Sequence, residues 1–337
     1  MPAPKLFSRR NTRTVGILLA LLAPLFLFTN AKHINSYALI ALDQQHGNAY
    51  APEVFVHNGQ KRMLIGGWRN HADTYKLVNG KWELLPDKIF LSRWSSGRWT
   101  APKPILWTNS GSKYSVPGSI EGLQINDPTI VKANNGNWLN MYYTIYPFRP
   151  YNPAPYTAHK IGFATSIDGG VTWTDHGVVH APSHGAWAPA AINVGGKTWV
   201  YYHTGEAAPK ARRQIFKANG WQKEGGAALV KAPVVPLNID IHKLGNKYVI
   251  VANGKKLTQV VRYISNNGIN FWKDKRDKDV IIDGGDNYIL TPHVEVTKDR
   301  GYRWDSEYMV YFGFDHMSGD VPLHSNSIQA WKFRNSK

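Results

Sequence analysis

Apolar and polar residues alternate along much of this chain with the period of two that marks half-buried β-strands. The runs "RMLIGGW", "TWVYYHT" and "EYMVYFG" show it, and no long stretch places apolar residues at helical spacing. "INDPTIVKANNGNWLNMYYT", Ile125 to Thr144, displays a unit: an Asp-Pro step, an apolar strand, an Asn-Gly turn and a second strand ending in paired tyrosines.

The unit recurs. "YAPEVFVHNGQKRMLIGGW" starts at Tyr50, "WAPAAINVGGKTWVYYHT" at Trp187, "LNIDIHKLGNKYVIVANG" at Leu237 and "LTPHVEVTKDRGYRWDSEYMVYFGF" at Leu290. From Pro52 through Pro128, Pro189, Ile239 and Pro292 the intervals are 76, 61, 50 and 53 residues. After each pair comes a further strand-like segment: "KIFLSRWSSGRW", "IGFATSIDGGVTW", "RQIFKANGWQ", "VVRYISNNGINFW" and "SIQAWKFRN". Repeats of this length with three or four strands predict an all-β protein, a five-bladed β-propeller of four-stranded antiparallel blades. The last copy runs out of chain after its third strand, so "SYALIAL", Ser36 to Leu42, is expected to supply the missing outer strand and close the ring.

In a propeller the first strand of each blade lines the central channel, and alternate side chains face it. The residue before the Pro-equivalent is Ala51, Asp127, Ala188, Asn238 or Thr291; the residue after it is Glu53, Thr129, Ala190, Asp240 or His293. Glu53, Asp127 and Asp240 would therefore converge on one axis, with His293 and Asn238 beside them. Carboxylates that share a cleft push their pKa values apart, so one can donate a proton while another stays a base, the requirement for glycosidic-bond hydrolysis. Each residue also has a structural reading. Asp127 fits a turn cap before Pro, Glu53 faces outward if the register slips by one, and Asp240 suits a strand-end hydrogen bond. His293 is a core histidine, a sugar ligand or a ligand to a channel metal. Glu206 and Glu121 lie near the ends of inner hairpins, where a loop role competes with service as the acid. Trp68, Trp187, Tyr146 and Tyr151 fall where sugar rings could stack, although most of the 13 tryptophans are expected in the core.

The first 31 residues differ in kind. Lys5, Arg9, Arg10 and Arg13 precede an apolar run from Val15 to Phe28, and "TNA" ends at Ala31, the layout of a secretory signal peptide or, uncleaved, of an N-terminal anchor. Residues 32–337 then form a single domain. The formal charge is +17, four units of it in the leader, so the rest of the chain stays strongly basic. Its scattered positive residues suit a hydrated surface or attraction to an acidic polysaccharide; nucleic acid is not expected, because no binding motif is present. There is no cysteine, which excludes disulfides and thiol chemistry and places an exported chain in a bacterial periplasm or outside the cell.

"SIDGGVTW", Ser166 to Trp173, resembles the Asp-box of sialidases and other propellers, in which the Asp has a structural role; that assigns Asp168 to a turn. "NDP" at Asn126–Pro128, "WAP" at Trp187–Pro189, the "MYYT" unit and "ATSIDGGVTW" together resemble the five-bladed propeller glycoside hydrolases, the grouping of family 43 arabinanases, arabinofuranosidases and β-xylosidases and of the invertase-like enzymes. The resemblance implies an Asp base or nucleophile, a Glu acid and often an assisting Asp on channel-lining strands; some members use a histidine as the acid. It departs at Ala51, where family 43 places its Asp, and no Glu-Gly-Pro step marks an acid in the fourth copy. The expected function is an exported, monomeric glycoside hydrolase with Asp127 as base, Glu53 or Asp240 as acid, and His293, Asn238, Trp187 and Trp68 binding substrate. No cofactor is required, and a structural Ca2+ in the channel is left open. A non-catalytic glycan-binding propeller and an envelope interaction platform are the alternatives, and membrane contact is expected only through an uncleaved leader.

Overall fold

Each repeat folds as an antiparallel hairpin whose first strand is innermost. The computed structural model describes residues 36–40, 48–68, 75–78, 81–84, 88–106, 122–134, 138–148, 156–255, 257–273, 280–285, 288–298, 307–315 and 327–334. The leader, Glu121 and Tyr151 lie outside them. Among the described residues no helix is long and apolar enough to cross a membrane.

Four sheets are four-stranded and antiparallel. The second copy gives Gly122–Lys132, Leu139–Phe148, Lys160–Ser166 and Thr174–His180 in spatial order. The third gives Trp187–Val194, Lys197–His203, Ala211–Phe216 and Lys223–Leu229, and the fourth gives Leu237–Leu244, Lys247–Asn253, Gln259–Ser265 and Val280–Asp283. The last sheet joins Tyr288–Lys298, Glu307–Asp315 and Ser327–Arg334 to Ser36–Ile40, which pairs Ser36 with Trp331. The expectation of uniform four-stranded blades is corrected at the first copy. There Asn48–His57, Gln60–Trp68 and Lys88–Ser95 are followed by Arg98–Trp99, with Lys103–Leu106 also on Lys88–Ser95, so this sheet has five strands. The cause is local: "SSG" turns the chain back for only two residues, and Pro102 and Pro104 force a fresh start against the same strand.

Local chemistry sets the hairpins. Asn58–Gly59 and Gly195–Gly196 both have positive φ at their two central positions, the type I′ turn that matches strand twist. Packing sets the wheel, since each neighbouring pair of sheets shares an apolar cluster. Tyr142, Phe163, Tyr202 and Phe216 fill the space between the second and third sheets, and Tyr201, Ile239, Ile250 and Tyr263 fill that between the third and fourth. Fully burying a side chain such as Phe163 contributes about 1.5–3 kcal/mol.

The inner strands neighbour one another in cyclic order, the last beside the first. Each is bent at the same place. Ala51, Asp127, Ala188, Asn238 and Thr291 have φ of 48°, 48°, 47°, 48° and 45°, and the pairing register shifts across each of these steps. Left-handed backbone at a residue other than glycine costs roughly 1–3 kcal/mol. Two of these residues have their amide held by a hydroxyl of the preceding sheet: Ala51 N–H donates to Thr291 Oγ1 at 2.6 Å and Ala188 N–H to Thr144 Oγ1 at 2.9 Å.

The Asp-box behaves as its resemblance implies. Asp168 accepts hydrogen bonds from Val171 N–H, Thr172 N–H, the Thr172 hydroxyl and the Ser166 hydroxyl. Burial would raise its pKa, but these donors lower it to about 2. Arg62 of the first sheet donates to the carbonyls of Asp168 and Gly169, pinning this turn to its neighbour.

Candidate active site

The bend repeated in every inner strand creates the site. A small hub cavity of about 30 Å3 is lined by the same three-residue step from each copy, including Glu53, Asp127, Asn238, Asp240 and His293. That is room for roughly one water, so a sugar ring must lie above the hub rather than inside it. The side chains form two levels, before and after the Pro position.

The level after Pro is a ring of fasteners. Glu53 Oε1 accepts Ile130 N–H at 2.9 Å, Thr129 Oγ1 accepts Ala191 N–H at 3.2 Å, and Asp240 Oδ2 accepts Val294 N–H at 2.6 Å. His293 Nε2 donates to the Val54 carbonyl at 3.1 Å. Each polar residue at this level thus bonds the backbone of the next inner strand. Ala190 is the remaining member.

Glu53, Asp240 and His293 also meet one another. His293 Nδ1 lies 3.1 Å from Glu53 Oε2 and 3.3 Å from Asp240 Oδ2, shared between the two rather than aimed squarely at either. Burial would strip the imidazole of its proton, but the Glu53 and Asp240 charges and the Val54 carbonyl outweigh this and raise it to about 9. His242 Nε2 is 2.7 Å from Asp240 Oδ2. Burial would raise Asp240, yet His242, His293 and the Val294 amide lower it to about 2. A carboxyl held so far down is a poor proton donor at neutral pH, which counts against Asp240 as the acid. Among the described residues no three His, Asp or Glu side chains are disposed to hold a metal ion.

The level before Pro is more open. Asp127 is half-buried, and its Oδ2 accepts the Thr144 hydroxyl at 2.9 Å. Asn238 is buried and donates to Asn253 Oδ1 at 2.9 Å. Beside Asp127, Asn126 donates to the Tyr50 hydroxyl at 2.7 Å and to the Tyr146 hydroxyl at 3.3 Å. An aromatic wall continues from there: Tyr146 lies 4.9 Å from the His159 ring, His159 5.0 Å from Tyr156, and Tyr156 5.5 Å from Trp187. Tyr156 is 61% exposed. Its backbone is held against two glycines, for a Cβ on Gly205 would come within 2.1 Å of Tyr156 C and one on Gly185 within 2.3 Å of Tyr156 O. Burial lowers His159 to about 4, leaving it neutral behind the wall.

The structure thus brings Asp127, Glu53, Asp240, His293 and Asn238 to one cavity, while Trp187 precedes the lining residue Ala188 and packs against Tyr156. Trp68 ends the second strand of the first sheet, and its side chain lies outside the described residues. Glu206 is half-buried and bonded to Thr204 and Lys210, whose donors lower its pKa; it is an ion-pair partner rather than an acid. Sequence reading missed His242, Tyr50 and Tyr156. For His242 the signal was the "DIH" step, which puts a second polar side chain on the face of Asp240.

No protein-family model and no curated protein matches the chain. Among solved structures it resembles a family 117 glycoside hydrolase produced by the marine bacterium Zobellia galactanivorans, with TM-score 0.60 and 13% identity over 91% of this chain and 90% of that one. A family 43 enzyme of Xanthomonas citri, solved with xylose, gives TM-score 0.58 and 10% identity, covering 90% of each chain. An arabinanase of Bacillus subtilis gives 0.53 and 15%, covering 84% of this chain and 94% of that one. The chain therefore has the β-propeller fold seen in family 43 and family 117 glycoside hydrolases.

Proposed function

We propose that this protein is an exported glycoside hydrolase that cleaves a poly- or oligosaccharide over the hub, with Asp127 as base. One observation carries the reading: a half-buried carboxylate at the hub mouth, oriented by Thr144, stands beside an aromatic wall in a fold shared with solved glycoside hydrolases. The proton donor is drawn from the Glu53–His293 pair, since Asp240 is held ionised and serves to keep His293 charged. In this reading the wheel has five blades, the first enlarged and the last completed by Ser36–Ile40. The leader directs export to the periplasm or beyond, the protein works as a monomer, and its surplus positive charge draws acidic polymers.

Turnover of aryl glycosides and polysaccharides by the purified protein, lost in Asp127→Asn, is the expected result. Absence of turnover on all of them, or turnover that Asp127→Asn leaves intact, overturns it. A second reading, glycan binding without hydrolysis, is favoured by the engagement of both Glu53 oxygens and of Asp240 in inter-strand bonds. Saturable glycan binding without cleavage would select it.

A further inference from the structure

We propose that a cleft between the second and third sheets, at the turn ends of their strands and sharing no lining residue with the hub cavity, is a separate binding site for uncharged saccharide chains. Asp127 lies midway along its inner strand, Gly122–Lys132, whereas this cleft is built at the strands' turn ends: Asn134 and Trp138 flank the turn of the first hairpin, Thr165 is the last residue but one of the third strand, and Trp221 follows the turn after Phe216. Its volume is about 610 Å3, within the ~300–1,000 Å3 range of small-ligand sites.

Its chemistry is specific. Trp138 and Trp221 are 44% and 49% exposed, although tryptophan at an inter-sheet position such as Trp99 is buried. Two large apolar faces held at one cleft mark a contact surface rather than scattered exposure. Trp221 is braced from beneath, 6.1 Å from Phe163 and stacked at 24° on His176, whose Nε2 is 2.9 Å from Thr165 Oγ1. The turn that carries it is also fixed: Asn219 Oδ1 accepts Trp221 N–H and Gln222 N–H, and Tyr142 donates to the Gly220 carbonyl at 2.7 Å. A preformed site loses little ordering entropy on binding. Asn140 and Thr165 put amide and hydroxyl groups into the floor, and among the described residues the lining contains no Asp, Glu, Lys or Arg. On a chain of formal charge +17 that absence selects an uncharged partner. Flat apolar faces edged by neutral hydrogen-bonding groups match the faces and hydroxyl edges of sugar rings.

The proposal shares with the proposed function the premise that the protein meets glycans, but its test does not need hydrolysis. Affinity electrophoresis of the full chain in gels containing neutral arabinan, xylan or β-glucan, with polygalacturonate as the acidic control, reads binding directly. Retardation by at least one neutral polymer is expected, weakened about tenfold in Trp138→Ala and in Trp221→Ala and unchanged in Asp127→Asn. Turnover of a small aryl glycoside should stay unchanged in both tryptophan variants. No retardation by any neutral polymer, retardation insensitive to both tryptophans, or a dimer in light scattering that these substitutions dissolve would each overturn it. Loss of turnover alone would count against the hub reading and leave the cleft standing.

Discussion

The two levels of the hub come from the same backbone step yet differ in what they can do. After the Pro position, Glu53, Thr129, Asp240 and His293 each bond the next strand's backbone, so their polarity holds the wheel together. Before it, the backbone is strained and the side chains are Ala51, Asp127, Ala188, Asn238 and Thr291; here one carboxylate is half-buried, next in sequence to Asn126, which bonds Tyr50 and Tyr146. Convergence of carboxylates at an axis is thus not by itself a catalytic signature. The two levels differ in exposure: Glu53, Thr129, Asp240 and His293 are buried against the next strand, whereas Asp127, bonded to the Thr144 hydroxyl, is half-buried.

The contrast can be broken most forcefully from below. Asp240→Ala leaves the His293 and His242 rings without their shared carboxylate, and losing one partner of a buried pair should destabilise by about 3–5 kcal/mol in chemical denaturation. Asp127→Asn should do the reverse, reducing turnover by about 10^2–10^4-fold while moving the denaturation midpoint little; a large loss of stability would place Asp127 among the fasteners. Next comes pH. His293, raised to about 9 from 6.5, contributes stability that is complete below about 6.5 and disappears as pH rises through 9. Asp240, lowered to about 2 from 3.8, contributes above about 3.8 and ceases to as pH falls through 2. The urea midpoint should therefore be highest between these limits, and His293→Gln should flatten the alkaline decline. The smallest effect is expected at the rim: Tyr156→Ala should weaken glycan affinity by about 1 kcal/mol with no change in stability. Gly205→Ala, which crowds Tyr156, should reproduce the affinity loss, and calorimetric titration reads both.

How far the sequence carried can be judged at the hub. The Pro-anchored register of the copies placed Glu53, Asp127, Asp240 and His293 at one cavity, because a repeated strand start is a reliable ruler along a chain. It did not reveal that the residue before Pro is left-handed, for alanine and threonine carry no sign of positive φ. Nor did it separate the two levels, since bonding to a neighbouring strand's amide depends on blade spacing, which no linear pattern encodes. The extra strand of the first sheet was hidden within one predicted segment, "KIFLSRWSSGRW", which the structure divides at Ser96–Gly97. Tyr156 was missed because its place depends on two distant glycines.

The bonds His293 Nε2 to Val54 O and Ala51 N to Thr291 Oγ1 span 239 and 240 residues. A polypeptide leaving the ribosome cannot make either until the last inner strand has emerged, so earlier sheets must wait with an open flank. Loop-closure entropy across that span is about 5 kcal/mol for a flexible chain, and each sheet already formed shortens the effective loop. Ring completion is therefore a late event that rewards sequential assembly, and topology of this kind folds slowly. Substitutions at Glu53 or Asp240 should act during biogenesis as well as at equilibrium, lengthening the time for which the flank is exposed to aggregation.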